Sequence, residues 1–165
     1  MKTFLIIDMS SYMHKAYHGY KMRYKENWVA IGVASYLKKL LDVYKPEYIV
    51  SAEDTRSNAF LRRQLYAAYK SNRVGKESKD ELHEQFGIAH DFLASTGIKR
   101  ISKEGYEADD VIAALVKKFK GKDVRIVIVT GDKDMAQLVD SENDVEVHLN
   151  NGKGSGPLKY VELLV

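Results

Sequence analysis

The sequence predicts an α/β fold in which helices cover both faces of a mainly parallel sheet. Short runs of apolar, β-branched residues are continuous rather than alternating, which is typical of strands buried on both faces. Segments with apolar residues three and four positions apart separate these runs and indicate helices between the strands. We therefore expect a three-layer α/β/α, Rossmann-like domain.

Each strand is predicted from a short apolar run. The clearest runs are Thr3–Ile7, Tyr48–Ala52 and Arg125–Thr130, and weaker ones are Lys99–Ile101 and Val145–Leu149. The three clear runs are each followed by a carboxylate within two residues.

Four helices are predicted between the strands. Proline or glycine stop signals follow three of them, at positions 46, 97 and 121. In the second helix, Leu61, Leu65 and Ala68 fall on one side and are expected to face the core. The four predicted helices are Val29–Tyr44, Phe60–Arg73, Asp80–Thr96 and Ala108–Phe119.

Composition limits the class of protein. The chain has 165 residues, of which 45% are hydrophobic, and this length fits one domain with a sizeable core. It has no cysteine, which excludes a disulfide scaffold, a thiolate zinc site and a thiol nucleophile. No apolar run approaches the roughly 18 residues that a membrane span needs. We expect a soluble, cytoplasmic protein with no membrane partner.

The charges are distributed unevenly along the chain. Residues 1–76 contain 14 Lys and Arg against 6 Asp and Glu, whereas residues 77–165 contain 12 against 17. This asymmetry indicates a basic surface beside an acidic site.

Seven carboxylates are predicted to gather at one edge of the sheet. Three of them follow separate strands, so they are expected at the carboxyl-terminal edge of the sheet. Ligands bind at that edge in open α/β sheets. Three more begin the last predicted helix, where Glu107 and Asp110 share a face. The seven are Asp8, Asp54, Glu107, Asp109, Asp110, Asp132 and Asp134.

A cluster of this kind repels itself unless a cation compensates its charge. Mg²⁺ and Mn²⁺ prefer such oxygen ligands, and two ions about 3.5–4 Å apart can support phosphodiester hydrolysis. For Glu107, Asp109 or Asp134 taken singly, helix capping is the simpler explanation. Three strand ends that deliver aspartate to one edge favour a metal site. None of the five histidines shows ligand-like spacing, and we assign none to metal.

The stretch from Thr55 to Lys76 contains six basic residues and no acid. On a helix, Arg62, Tyr66, Lys70 and Arg73 would form one stripe, without the acidic i, i+4 partners that a solvated helix usually has. Cations beside tyrosine suit nucleic acid, because cations neutralise phosphates and rings stack on bases. We therefore expect phosphate contacts here.

Five motifs together resemble the 5′ nuclease family, which includes the 5′–3′ exonuclease domain of bacterial DNA polymerase I and the phage flap endonucleases, within the PIN-like superfamily. They occur in the family's order and cover most of the chain. The motifs are Ile6–Tyr12, Ala16–His18, Leu65–Arg73, Gly105–Asp110 and Val129–Asp134.

The resemblance implies a PIN-like nuclease over residues 1–165 that depends on two Mg²⁺ or Mn²⁺ ions and cuts DNA near 5′ ends or flaps, or removes an RNA primer, in replication or repair. It implies that Asp8, Asp54, Glu107, Asp109 and Asp110 hold the first ion directly or through water, and that Asp132 and Asp134 belong to the second. Lys70 and Arg73 would stabilise charge at the scissile phosphate as catalytic residues. The predicted nucleic-acid contacts are Lys15, Arg62, Arg63, Tyr66, Lys70, Arg73 and Lys76.

The sequence departs from the family pattern at three places. Met9 stands where glycine is usual, and Ser51–Asp54 replaces a more apolar strand end. We also expect the chain to lack the family's helix–three-turn–helix region, which grips duplex DNA. We expect weak binding of the second ion and of duplex DNA unless a separate chain supplies that region.

Two other functions fit the residues. One is a nucleic-acid-binding or partner-binding module that keeps the fold but turns over little, and the other is a PIN-type ribonuclease. A receiver domain also gathers strand-end aspartates, but it would have paired acids after the first strand, whereas Asp8 is followed by Met9 and two serines.

Overall fold

The computed structural model of the protein describes residues 1–55, 60–67, 79–150 and 159–160. The strands are β1 (Lys2–Asp8), β2 (Tyr48–Ala52), β3 (Lys99–Ile101), β4 (Val124–Thr130), β5 (Val145–Leu149) and β6 (Lys159–Tyr160). The helices are α1 (Met9–Tyr20), α2 (Trp28–Tyr44), α3 (Phe60–Leu65), α4 (Lys79–Ser95) and α5 (Ala108–Phe119). Short 3₁₀ helices occupy Lys133–Leu138 and Ser141–Asn143.

The strands form one sheet in the order β3-β2-β1-β4-β5-β6. Strands β1 to β5 are mutually parallel, and β6 pairs antiparallel with β5. Ile6 in β1 lies opposite Val50 of β2 and Ile128 of β4. Parallel pairing therefore brings the carboxyl ends of β2, β1 and β4 side by side at one edge of the sheet.

Helices cover both faces of the sheet. On one face, α1, α2 and α4 pack over Leu5 and Ile7 of β1. On the other, α5 and the first 3₁₀ helix pack over Ile6 of β1 and Ile128 of β4. Because alternate residues of a strand point to opposite faces, a continuous apolar run satisfies both layers. The predicted three-layer α/β/α fold is confirmed.

Most predicted elements lie within two residues of their observed bounds. β2, β3, β5 and α5 match the prediction, and β1, β4, α2 and α4 differ by a residue or two. Helix α1 is absent from the prediction although its signal is present. Its buried residues Met9, Met13, Ala16 and Tyr17 have helical spacing, and the Asp8 side chain caps its first turn.

The predicted helix Phe60–Arg73 is wrong in its extent. Helix α3 ends at Leu65, Tyr66 and Ala67 are not helical, and residues 68–73 lie outside the described part of the chain. Leu65 is 90% exposed instead of facing the core, and Tyr66 is 67% exposed. A short helix is marginal in water unless it buries apolar side chains, and Leu65 buries almost none of its surface. The four-residue stripe therefore does not form on one helix.

No helix in the described part of the chain is both long and apolar enough to cross a membrane.

A partly buried polar network joins β4 and β5 to the end of α2. Arg125 of β4 donates to both oxygens of Glu146 in β5, at 2.7 and 2.8 Å. His148 contacts Glu146 through Nε2 at 2.9 Å and the Tyr44 hydroxyl through Nδ1 at 2.6 Å. The Arg125 guanidinium lowers the pKa of Glu146, and burial raises the pKa of Tyr44 to about 12.

We expect Glu146→Gln to lower the free energy of unfolding at pH 7 by about 1 kcal/mol. Because the folded pKa of Glu146 is lowered, its contribution is complete above the unfolded pKa of roughly 4.3 and is lost as pH falls through the folded pKa. Urea unfolding at pH 7 and pH 3 should show a difference between wild type and variant that shrinks in acid. Exposed Glu142→Gln serves as control. A difference independent of pH would contradict the assignment.

Gly32 allows α1 and α2 to approach closely. A Cβ at this position would lie 2.9 Å from the Ala16 Cβ and 3.2 Å from the Tyr20 ring. We expect Gly32→Ala to destabilise the protein by about 1–3 kcal/mol through overpacking. A Cβ at Gly87 in α4 would meet no packed neighbour within 4 Å, so Gly87→Ala should stabilise by about 0.5–1 kcal/mol. Thermal unfolding should show a lower midpoint than wild type for Gly32→Ala and a higher midpoint for Gly87→Ala.

Candidate metal and nucleic-acid site

The three strand-end aspartates lie at the same edge of the sheet. Asp8 is the last residue of β1, while Asp54 follows β2 and Asp132 follows β4, each by two residues. β1 is flanked by β2 and β4, so Asp8 occupies the middle of the site. The parallel topology thus brings together the residues that the sequence predicted as a group.

Asp8 is the most enclosed of these aspartates, with 3% exposure. Its Oδ1 accepts from the Ser11 backbone N–H at 3.0 Å, and its Oδ2 accepts from the Thr130 hydroxyl at 2.6 Å. Burial raises the pKa of Asp8 to about 6 against these two hydrogen bonds, and repulsion from Asp109 and Asp54 adds to the rise. Two neighbouring acids therefore lie close enough to disfavour the charged form of Asp8.

Asp54 connects β2 to two helices. Its backbone N–H donates to Ser10 Oγ in α1 at 2.7 Å, and its Oδ1 accepts from the Ala108 N–H in α5 at 2.7 Å. Asp54 itself is exposed to solvent. Its carboxylate is thereby fixed at the start of α5, beside the next group of acids.

The start of α5 presents three acids in different environments. Glu107 is buried at the N-cap position, and Asp110 Oδ2 accepts from the Glu107 N–H at 3.0 Å. Arg62 of α3 pairs with both side chains, with Glu107 Oε2 and with Asp110 Oδ1, the latter at 2.8 Å. The predicted shared face of Glu107 and Asp110 is confirmed. The negative charge of Asp109, the third acid, helps to raise the pKa of Asp8.

Asp132 and Asp134 lie at the start of the first 3₁₀ helix. Asp132 Oδ1 accepts from the Asp134 N–H at 2.9 Å, and the Asp132 N–H donates to Thr130 Oγ1 at 3.0 Å. The Asp134 side chain is exposed. Asp132 therefore acts as a helix cap while it lies at the carboxylate edge.

The donors at this edge fit a hard divalent cation by their chemistry, because they are all carboxylates and because burial and two acidic neighbours disfavour the charged form of Asp8. Within residues 1–55, 60–67, 79–150 and 159–160, no three His, Asp or Glu side chains already surround a common point as metal ligands do. The carboxylates instead accept hydrogen bonds from the backbone, Thr130 and Arg62. Binding an ion would require some of these side chains to exchange partners.

The predicted cationic residues fall in several environments. Lys15 donates from Nζ to the Asn150 carbonyl, and burial lowers its pKa. It lines a narrow cleft beside Asp8 together with Tyr12, Tyr36 and Gly131. Arg63 and Tyr66 are exposed. Lys70, Arg73 and Lys76 lie outside the described residues.

Several residues that shape the site are missing from the sequence-based prediction. Ser10, Ser11 and Thr130 hold Asp8 and Asp54 through the hydrogen bonds above. Only Thr130 carries a local sequence signal, because its hydroxyl accepts from the Asp132 N–H two residues further on, a bond that Ser and Thr commonly make to nearby backbone groups. Ser11 acts through its backbone N–H, and Ser10 Oγ accepts from Asp54, which lies 44 residues away along the chain.

Glu53 is also missing, and it explains the unusual strand end next to Asp54. It is 4% exposed, accepts from the Ser51 hydroxyl at 2.8 Å, and binds Arg100 of β3 through both oxygens at 2.8 and 2.6 Å. His90 of α4 contacts the same arginine at 2.6 Å, and burial lowers the pKa of this histidine. Glu53 is thus part of a structural ion pair that fixes the backbone next to Asp54.

Comparison with known families identifies the chain. A family model described as "5′-3′ exonuclease, N-terminal resolvase-like domain" matches residues 3–160. The chain belongs to this 5′–3′ exonuclease family. All seven carboxylates fall inside the match.

Named relatives agree with the family. A 5′–3′ exonuclease of Aquifex aeolicus is 32% identical over 155 residues, which are 92% of this chain and 52% of that protein. DNA polymerase I of Caldicellulosiruptor bescii is 40% identical over 116 residues, which are 70% of this chain and 13% of the polymerase. The chain therefore spans about half the length of such an exonuclease and a small part of the polymerase.

Solved structures share the fold. A bacteriophage T5 5′-exonuclease with divalent zinc ions bound has a TM-score of 0.67 and 21% identity, over 93% of this chain and 57% of that chain. A bacteriophage T5 flap endonuclease in a complex with DNA and metal ions has a TM-score of 0.68 and 20% identity, with the same coverage. This likeness supports the PIN-like fold that the sequence predicted.

We expect Thr130→Val to lower the free energy of unfolding by about 1–3 kcal/mol, because it leaves Asp8 Oδ2 and the Asp132 N–H without their buried partner. Thr130→Ser keeps the hydroxyl and should lose much less. Urea unfolding at pH 8 compares the two variants with wild type. Equal stability of the Val and Ser variants would show that the hydroxyl does not hold Asp8.

Proposed function

We propose that this chain is the catalytic domain of a divalent-metal-dependent 5′ nuclease that hydrolyses DNA phosphodiester bonds near 5′ ends or flaps. The observation that carries the proposal is the meeting of Asp8, Asp54 and the acidic start of α5 at one edge of the sheet. Burial and two acidic neighbours disfavour the charged form of Asp8, a cation stabilises that form, and an all-carboxylate set suits Mg²⁺ or Mn²⁺.

The comparisons support the same function. The family model and the Aquifex aeolicus relative are 5′–3′ exonucleases, and the related T5 structures were solved with metal ions or with DNA and metal ions. We extend nuclease activity, a divalent ion and DNA from these proteins to this chain.

In the proposed site, Asp8, Asp54, Glu107, Asp109 and Asp110 hold one ion, and Asp132 and Asp134 contribute to a second. When bound, two divalent ions activate the attacking water and offset charge on the leaving oxygen of a phosphodiester. Ser11 and Thr130 hold the Asp8 carboxylate in one orientation. A ligand fixed in advance loses little conformational freedom on binding, which favours a geometry suited to the transition state.

The basic residues are proposed to position the nucleic acid. Arg63 and the exposed ring of Tyr66 lie just after the arginine that reaches α5, where they can contact phosphate and stack on a base. Lys15 lies beside Asp8 in the cleft. We propose Lys70 and Arg73 as the catalytic cations at the scissile phosphate, with Lys76 as a further phosphate contact.

We expect Asp109→Asn to lower cleavage of a labelled 5′-flap DNA by about 100-fold or more in Mg²⁺ or Mn²⁺, because it removes one charge from the proposed ion site next to Asp8. Asp123→Asn is the matched control, since exposed Asp123 immediately precedes β4 at the opposite edge of the sheet. Rates are measured by gel under single-turnover conditions.

Cleavage measured with different metals and substrates distinguishes the proposed nuclease from the alternative functions. Cleavage that persists in chelator, or that Asp109→Asn leaves unchanged, would contradict a metal-dependent nuclease. Salt-dependent DNA binding with no cutting in any metal would favour a binding module. Faster cutting of an RNA strand of the same sequence would favour a PIN-type ribonuclease.

A further inference from the structure

Arg62 makes two ion pairs that its place in the predicted basic stripe did not indicate. Its guanidinium spans two carboxylates, with one nitrogen on Glu107 Oε2 and another on Asp110 Oδ1 at 2.8 Å. Both partners come from the start of α5, far away along the chain. Arg62 is therefore not an unpaired surface cation in this arrangement, although the neighbouring sequence contains no acid.

The environment of Glu107 makes this contact significant. The Glu107 side chain is 3% exposed, whereas the Arg62 side chain is 35% exposed. A buried carboxylate needs a counter-charge, and a planar guanidinium suits it because its fixed donors can reach two acceptors at once. Arg62 supplies a positive charge from a short helix whose far end, at Leu65, is exposed.

Arg62 and a divalent ion oppose each other at these carboxylates through their charge. Each carboxylate has lone pairs to spare, but an ion on Glu107 or Asp110 would lie beside the guanidinium, and the two adjacent cations would repel each other. Occupation of the carboxylates by Arg62 and by an ion is thus a competition. By linkage, a stronger Arg62 contact lowers the apparent affinity for the ion, and a bound ion weakens the Arg62 contact.

We propose that Arg62 is a built-in competitor of the metal: it neutralises Glu107 and Asp110 until an ion binds and then leaves them, which frees its guanidinium for a DNA phosphate. This inference rests on the proposed function, because it takes these two carboxylates as metal ligands. It assigns Arg62 a regulatory role that a simple phosphate contact would not have. Binding of the ion would therefore release the Arg62 guanidinium for contact with DNA.

The test is a titration of the full chain with Mn²⁺ in the absence of DNA. Binding is measured from the electron paramagnetic resonance signal of the Mn²⁺ that stays free. Arg62→Gln removes the competing charge and should bind Mn²⁺ about tenfold more tightly than wild type. Arg63→Gln is the matched control: it removes the same charge from an adjacent, exposed side chain and should change affinity by less than about twofold. Arg62→Lys keeps one charge but loses the fork, and should lie between wild type and Arg62→Gln.

A second readout covers the possibility that the variant folds poorly. Without metal, Arg62→Gln should unfold at a lower temperature than wild type because Glu107 loses its counter-charge, and saturating Mn²⁺ should raise its midpoint by more than it raises that of wild type. Equal or weaker Mn²⁺ affinity in Arg62→Gln, with wild type binding normally, would overturn this inference and leave the proposed nuclease standing. Absence of Mn²⁺ binding in every variant would overturn both.

Discussion

The buried carboxylate of Asp8 is the group on which the arrangement of the site depends. It ends the central strand, caps α1 through the Ser11 N–H and accepts from Thr130 at the end of β4. Thr130 in turn accepts from the Asp132 backbone. One acid therefore joins the neighbouring strands β1 and β4 to the first helix and to the turn after β4, and the apolar pairing of those strands holds it in place.

Burying this acid disfavours its charged form. Two hydrogen bonds do not fully compensate the loss of water, so the pKa of Asp8 stays raised, and Asp54 and Asp109 add repulsion. A buried carboxylate with a purely structural role would have a cationic partner, as Glu53 has in Arg100. An uncompensated acid at the centre of a carboxylate edge is the physical reason for regarding this edge as a cation site and not as a set of helix caps.

The protein compensates its acids in two different ways. Glu53 is held from an adjacent strand by Arg100 and from its own strand by Ser51, so the ion pair is part of the sheet. Glu107 and Asp110 are held by Arg62, which comes from a six-residue helix with an exposed end. The first arrangement joins two neighbouring strands of the sheet, whereas we propose that the second is exchanged for another cation. In this way the basic first half of the chain meets the acidic second half at the site.

The sequence by itself determined the layered α/β fold, most of the strands and the group of carboxylates at one edge. These follow from short-range rules: continuous apolar runs require burial on both faces, and parallel strands bring their carboxyl ends together. The motifs also carried the family, which the match over residues 3–160 confirms.

Only the tertiary structure decided which partners those residues have. Arg62 reaches Glu107 and Asp110 of α5, Arg100 pairs with Glu53, and Leu65 ends a short helix in solvent instead of entering the core. Local periodicity carries no information on these contacts, because each joins residues tens of positions apart or depends on whether a neighbouring surface is present to cover a side chain. Charge patterns along the chain gave the positions of the cations and acids, and the packing of α3, β3 and α5 determined which of them neutralise each other.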